Sequence, residues 1–214
     1  MSPDQPLTEP VLRALTRIPL DRALLVTISG IDGCGKGYVA AGLGRSLEGA
    51  GVRVAALGID GWLNLPHVRF SRERPAEHFY VHAIRFEEMF ERLVFPLRDR
   101  RSITLEFDFA EETATAYRPH VYAFEKVDVI LLEGIYLLKC AFQGFYDLSV
   151  WIDCTFETAL ERAVRRAQEG LSPEETIRAN RTIYFPAQEI HLELDGPLGA
   201  ATIVFPNDPR LGGG

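Results

Sequence analysis

The fold turns on Gly30-Ile31-Asp32-Gly33-Cys34-Gly35-Lys36-Gly37. An apolar run, Ala23-Leu24-Leu25-Val26-Thr27-Ile28, precedes it, and a helical pattern from Tyr38 to Leu47 follows. Strand, glycine-rich turn, lysine and helix form the context that a phosphate-binding loop needs. The glycines let successive backbone N–H groups curl around an anion without Cβ clashes. The helix N-terminus adds partial positive charge, and Lys36 brings a mobile ammonium. Gly30, Asp32, Gly33, Cys34, Gly35, Lys36, Gly37 and Tyr38 are therefore the candidate nucleotide-binding residues. The competing reading is a glycine-rich turn that binds nothing.

One position departs from the usual pattern. Such loops commonly end in Lys followed by Ser or Thr, whose hydroxyl reaches Mg²⁺. Gly37 has no side chain to offer. Magnesium retains several waters in most sites, so water can fill that place. The metal is then expected to bind more weakly or to lean on other carboxylates.

The chain has 214 residues, enough for one α/β domain over 1–214, and 47% of them are hydrophobic. Its net charge of −7 argues against nucleic acid or an acidic membrane as the main partner. Cys34, Cys140 and Cys154 have neither metal-ligand spacing nor an even count, which points to a reducing, cytoplasmic compartment. No apolar run approaches the roughly 18–20 residues of a membrane span, and no signal peptide is evident.

Residues 1–20 read as an extension, frayed over 1–7, with an amphipathic helix from Thr8 to Ile18 that Thr8 caps and that has Pro10 in its first turn. This helix is expected to cover the sheet or to pack on a second copy in a homo-oligomer. Val52–Ile59 reads as the second strand and ends in Asp60-Gly61-Trp62. Ala76 to Arg98 has helical periodicity that Pro96 ends or kinks. Ile103–Phe109 alternates as a strand. Residues 111–126 suggest a hairpin insertion, with strands at 113–118 and 121–124 about a Pro119-His120 turn. Val127–Leu132 is a near-continuous apolar run, the mark of a parallel strand covered on both faces, and it ends in Glu133-Gly134. Leu148–Asp153 and Ala200–Phe205 read as further strands. Helices are expected from Thr155 to Gln168 and from the capping box Ser172-Pro173-Glu174-Glu175 through Thr182. Strands alternating with helices predict an open, mostly parallel sheet with ligands beyond the strands' carboxyl ends.

Three of those strand ends carry chemistry: the glycine loop, Asp60 and Glu133. Phosphoryl transfer needs a phosphate cradle, a metal, a group that takes the acceptor's proton, and cations for the developing charge. Asp60 is the candidate base and a metal ligand; a turn cap is the bland alternative. Glu133 is the candidate metal ligand, because a lone carboxylate ending so apolar a strand is costly unless solvated or facing a cation. Arg162 and Arg166 share a helix face and could close over phosphates, or simply form a solvated basic face with Arg165. Arg69, Arg72 and Arg74 follow Asp60, where an acceptor would enter, and read as solvated. Arg178 and Arg181 are three apart on the next helix.

Together these features resemble the uridine–cytidine kinase branch of P-loop kinases, a group that also includes phosphoribulokinase and the bacterial type of pantothenate kinase. The resemblance runs from about Leu24 to Phe205. It rests on the loop at 30–36, Asp60-Gly61-Trp62, Phe107-Asp108-Phe109, Leu132-Glu133-Gly134-Ile135, the arginine-bearing helix at 155–169, and Ala201-Thr202-Ile203-Val204-Phe205. It implies the three-layer α/β fold of P-loop NTPases, with a lid and acceptor-side helices at 155–185. It also implies ATP and Mg²⁺ as cofactors and phosphorylation of a primary hydroxyl on a small molecule. Lys36, Asp60, Arg162 and Arg166 would be catalytic. Trp62, Phe79, Phe107, Asp108, Arg181 and Tyr184 would meet the acceptor. A pyrimidine nucleoside is the leading expectation for that acceptor, with a sugar, a pantothenate-like molecule or a specialised metabolite as the alternative. Phe107 stands where nucleoside kinases of the group place a tyrosine, and Glu111-Glu112 where they place a histidine. A nucleotide-binding module with impaired catalysis, signalled by Gly37, is the third reading.

Overall fold

The structure is a computed structural model and describes residues 5–166 and 170–211. Helix α1 (Gln5–Leu15) leads into β1 (Leu24–Gly30), the glycine loop, α2 (Lys36–Gly49) and β2 (Val54–Gly58). A single 3-10 turn, Ile59–Gly61, precedes the short helices α3 (Pro66–Arg69) and α4 (Pro75–His82). Helices α5 (Phe86–Met89) and α6 (Phe95–Arg100) flank a π-helical segment, Phe90–Val94. Strands β3 (Ile103–Phe109), β4 (Arg118–Phe124), β5 (Val129–Gly134) and β6 (Leu148–Asp153) follow. The chain continues through α7 (Phe156–Arg166), α8 (Pro173–Ala179) and a second π segment, Asn180–Tyr184. It closes with α9 (Phe185–Asp195), α10 (Pro197–Ala200) and β7 (Ile203–Pro206).

Five strands form one parallel sheet in the order β2-β5-β1-β6-β7. Every residue of β1 is buried, which explains its unbroken apolar run. Alternation along the strands sorts side chains to two faces. Leu25, Ile130 and Leu132 join the core beneath α4, α5 and the hairpin. Leu24, Val26, Ile28, Val129 and Leu131 join the core beneath α1 and α2. The register pairs Ser29 with Gly134 and Gly58 with Glu133. The carboxyl ends of β1, β2 and β5 therefore lie level, and the glycine loop, Asp60 and Glu133 share one edge.

Several local expectations are corrected. Helix α1 spans Gln5–Leu15, so Thr8 lies inside it and not at its N-cap, and Pro10 sits mid-helix. Leu7 and Val11 are buried on the α2 side, so this helix covers its own domain. The Ala76–Arg98 helix is broken at Ala83–Arg85. There Asn64 N donates to Ala83 O and Arg85 N donates to Trp62 O, both at 2.9 Å, which satisfies the backbone of the loop after Asp60. The hairpin joins β3 to β4 in a separate antiparallel ribbon, so its turn lies between Phe109 and Arg118. Pro119 pairs with Asp108 within β4. A two-stranded ribbon is all edge, and a proline can sit where its missing N–H costs no ladder bond. The last residues of the expected 155–169 helix, 167–169, lie outside the described residues.

Both π segments are followed by Phe-Pro, at Phe95-Pro96 and Phe185-Pro186. A proline cannot donate to the carbonyl four residues back, and a wider π turn absorbs the missing bond without ending the helix. Pro96 accordingly lies inside a helix that continues to Arg100. The second π segment ends at Tyr184, on the wall of the cavity described next.

Candidate active site

The glycine loop is built as an anion cradle. Gly33 and Gly35 have φ of +75° and +94°, a backbone state that favours glycine. Space forbids a side chain at either. A Cβ on Gly33 would lie 2.6 Å from Ala159 O, and one on Gly35 would lie 2.5 Å from Asn207 Nδ2. The loop is also held from behind. Asn207 Nδ2 and Arg162 Nη1 both donate to Cys34 O, at 2.7 and 3.1 Å. Arg162 Nη2 donates to Asn207 O at 2.9 Å. In front, Gln188 Oε1 accepts from Asp32 N at 2.8 Å.

Lys36 is buried, and its ammonium donates to Ile31 O at 2.9 Å across the loop. Burial opposes its charge, but Cys34, Asp32, Glu133 and Asp60 outweigh that and hold its pKa above the ordinary value. Cys34 is fully buried, and burial pushes its thiol up against the pull of the nearby Lys36 charge.

Asp60 and Glu133 face the same cavity as Lys36. Asp60 is open to solvent within the cleft, while protein crowds it on the other sides. Restricted hydration raises its carboxyl, Lys36 opposes this, and Asp32 adds to it. Glu133 is half-buried and likewise raised, by burial first, against Lys36, with Asp60 and Asp32 adding. Arg166 Nη2 stands 3.7 Å from Asp32 Oδ1 at the rim. The result is three carboxylates around one ammonium, a set that favours added positive charge.

The cavity measures about 510 Å³. Its far wall is Leu63, Arg69, Phe70, Phe79, Glu112 and Tyr184. Phe70 stacks on Phe79 with centroids 5.5 Å apart, and Phe79 lies 5.1 Å from Tyr184. Arg69 is 5% exposed, donates to Glu112 O through Nη2, and stands 5.0 Å over the Phe70 ring. It is not solvated, contrary to expectation.

Of the residues singled out from sequence, Asp32, Gly33, Gly35, Lys36, Gly37 and Tyr38 line the cavity. So do Asp60, Phe79, Glu133, Arg162, Arg166 and Tyr184. Gly30 and Cys34 are buried beneath the loop; a Cβ on Gly30 would meet Cys34 Sγ at 2.7 Å. Four candidates, Trp62, Phe107, Asp108 and Arg181, are not among the residues that line the cavity. Trp62 is fully buried and stacks on the equally buried Phe107 at 4.2 Å, so the pair supports the wall from behind. Asp108 and Arg181 are exposed. Arg162 lines the cavity, is half-buried, and is tied to the back of the loop through Cys34 O and Asn207 O.

Sequence reasoning missed Gln188, Asn207 and Asp208. Asp208 accepts from Thr155 N, Thr155 Oγ1 and Thr158 Oγ1, and these bonds outweigh its burial to hold its carboxyl well below the ordinary range. That knot fixes the start of α7 and, next to it, Asn207. The only signal was Asn207-Asp208 directly after the last strand, at the ligand edge of the sheet.

The residues fit a bound nucleoside triphosphate, because the glycine loop, the α2 N-terminus and the Lys36 ammonium meet at one open cavity with no side chain on Gly33, Gly35 or Gly37. They also fit a divalent cation held through Glu133, Asp60, phosphate oxygens and water. Among the described residues, no three His, Cys, Asp or Glu side chains form a metal-holding group by themselves. No helix of the described residues is long and apolar enough to cross a membrane.

No protein-family model and no curated protein matches the sequence. Solved structures do match the fold. A possible uridine kinase from Bacillus stearothermophilus is 20% identical, over 92% of this chain and 96% of that one, with a TM-score of 0.71. A candidate fructose transport system kinase from Silicibacter sp. TM1040 is 19% identical, over 96% and 100%, with a TM-score of 0.75. D-glycerate 3-kinase from Cryptococcus neoformans var. grubii is 14% identical, over 88% and 89%, with a TM-score of 0.63. Parallel sheet, glycine cradle and level strand ends together give this chain the fold of the P-loop kinases of the uridine kinase and phosphoribulokinase group.

Proposed function

We propose that this protein is an ATP-dependent kinase that phosphorylates a hydroxyl of a small molecule. The observation that carries this is the convergence of Lys36, Asp60 and Glu133 on one cavity with the phosphate cradle. The loop N–H groups and the α2 N-terminus bind the phosphates, and Lys36 neutralises charge developing on the transferred group. Asp60 accepts the acceptor's proton, its raised carboxyl bringing it nearer the operating pH. Glu133 and Asp60 would hold Mg²⁺ through water, and the ion, when bound, supplies charge neutralisation between the phosphates. Arg166 screens the rim. Arg162 keeps the loop in its binding shape. A cytoplasmic location fits this role.

A pyrimidine nucleoside remains one reading of the acceptor, supported by the likeness to a possible uridine kinase. One observation favours a different acceptor. Phe107 and Asp108, the residues a nucleoside reading relies on, lie outside the cavity.

The test is a transfer screen with ATP and Mg²⁺ against nucleosides, pantothenate and simple sugars, read by the mass gain of one phosphoryl group. Transfer to one acceptor, lost in Asp60→Asn, supports the proposal. ATP binding without transfer to any acceptor would instead indicate a nucleotide-binding module.

A further inference from the structure

Arg69 and Glu112 come from different parts of the chain. Arg69 ends α3, and Glu112 lies in the turn of the β3–β4 hairpin. Arg69 Nη2 donates to the Glu112 backbone carbonyl, and both residues line the acceptor end of the cavity. With Phe70 beneath it, the Arg69 guanidinium has a fixed plane.

Resting on the kinase reading above, we propose that Arg69 and Glu112 are the specificity-determining pair for the acceptor, and that the acceptor is an uncharged polyhydroxylated molecule, a sugar or polyol. A guanidinium only donates hydrogen bonds and a carboxylate only accepts them. On one cavity wall, they complement hydroxyl groups, which do both. The pair is charge-balanced. An acidic acceptor would meet Glu112, with Asp60 and Glu133 further along the same cavity, and a cationic one would meet Arg69. A neutral acceptor adds no charge beside the buried Arg69. Phe70, Phe79 and Tyr184 offer ring faces for the C–H face of a sugar. Phe107, by contrast, is 3% exposed beneath Trp62 and offers no base-stacking face.

The experiment measures kcat and KM for hexoses, pentoses and their polyols, for sugar acids, and for uridine and cytidine, with ATP and Mg²⁺. Glu112→Gln keeps the backbone carbonyl that holds Arg69, so the tie between α3 and the hairpin survives. Arg69→Lys keeps the charge and loses the planar fork. The expected result is transfer to a sugar or polyol. In both variants the acceptor KM rises roughly tenfold to a hundredfold, the loss of a charged hydrogen bond, while the KM for ATP stays within about twofold. Two outcomes overturn the inference and leave the kinase reading standing: preferred transfer to a sugar acid or nucleoside, or an unchanged acceptor KM in folded Glu112→Gln. ATP binding with no transfer to any acceptor overturns both.

Discussion

Glu133 Oε1 lies 4.0 Å from where a Cβ on Gly37 would stand, and no other atom outside the local turn of α2 lies that close. The position that usually brings a magnesium-ligating hydroxyl is thus empty but intact, and it opens onto the candidate metal ligand. Gly37→Ser should be accommodated without a clash. The expected outcome is a severalfold fall in the Mg²⁺ concentration for half-maximal transfer, with little change in KM for the acceptor. Titrating Mg²⁺ at saturating ATP measures it. An unchanged requirement would place the metal away from this turn.

Asp60→Asn removes a proton acceptor and leaves the cradle untouched. Transfer should fall by about 10²–10⁴-fold, the usual contribution of a positioned base. ATP affinity, measured by calorimetry, should stay close to the parent's. Transfer persisting near the parent rate would end Asp60's candidacy.

The raised carboxyls of Asp60 and Glu133 have consequences for pH. Below its raised pKa, Asp60 is protonated and cannot accept a proton. The acid limb of kcat/KM, which reports the free enzyme, should therefore lie above the ~4 of an ordinary carboxylate. Stability runs the opposite way. A carboxyl whose folded pKa is raised holds its proton more tightly in the folded chain. Its favourable contribution is complete below the unfolded pKa and is lost as pH rises through the folded one. At pH 8 without metal, charged Glu133 is a cost, so Glu133→Gln should melt a few degrees higher than the parent. Near pH 4 the difference should vanish. Melting curves at both values decide it, and a variant that melts lower at pH 8 would contradict the assigned cause.

How far the sequence could be read follows from range. The glycine loop, Asp60 and Glu133 each end a strand, and strand ends in a parallel sheet converge by topology, so local patterns sufficed to bring them together. The hairpin was misread because Pro119 looks like a turn residue locally, and only its pairing with Asp108 at a ribbon edge explains it. Arg69 was misread because its burial depends on Glu112, 43 residues away. Trp62 and Phe107 are large aromatics near the site, yet whether a ring faces the ligand or the core is a packing outcome. Asn207 and Gln188 hold the loop from 173 and 156 residues along the chain, and no short-range signal announces such bonds.

Gly61 supports the final prediction. A Cβ there would stand 2.6 Å from Phe109 Cε2 and 2.8 Å from Cδ2, and Ala110 N donates to Gly61 O at 3.3 Å. The hairpin thus rests directly on the turn that carries Asp60. Gly61→Ala must push Phe109 and its strand away, as overpacking does elsewhere, at a cost of about 1–3 kcal/mol. The melting temperature should drop by roughly 2–4 °C per kcal/mol. Activity should fall further than that loss of folded protein explains, since Asp60 moves with the turn. Gly49→Ala, where no atom outside its own helix turn lies within 4 Å, serves as the control and should be neutral or mildly stabilising. Adding Phe109→Leu to Gly61→Ala trims the opposing ring, so the double variant should recover part of both losses, a non-additivity expected only of residues in contact. Strictly additive losses in the double variant would show that the hairpin and the Asp60 turn are not coupled through this contact.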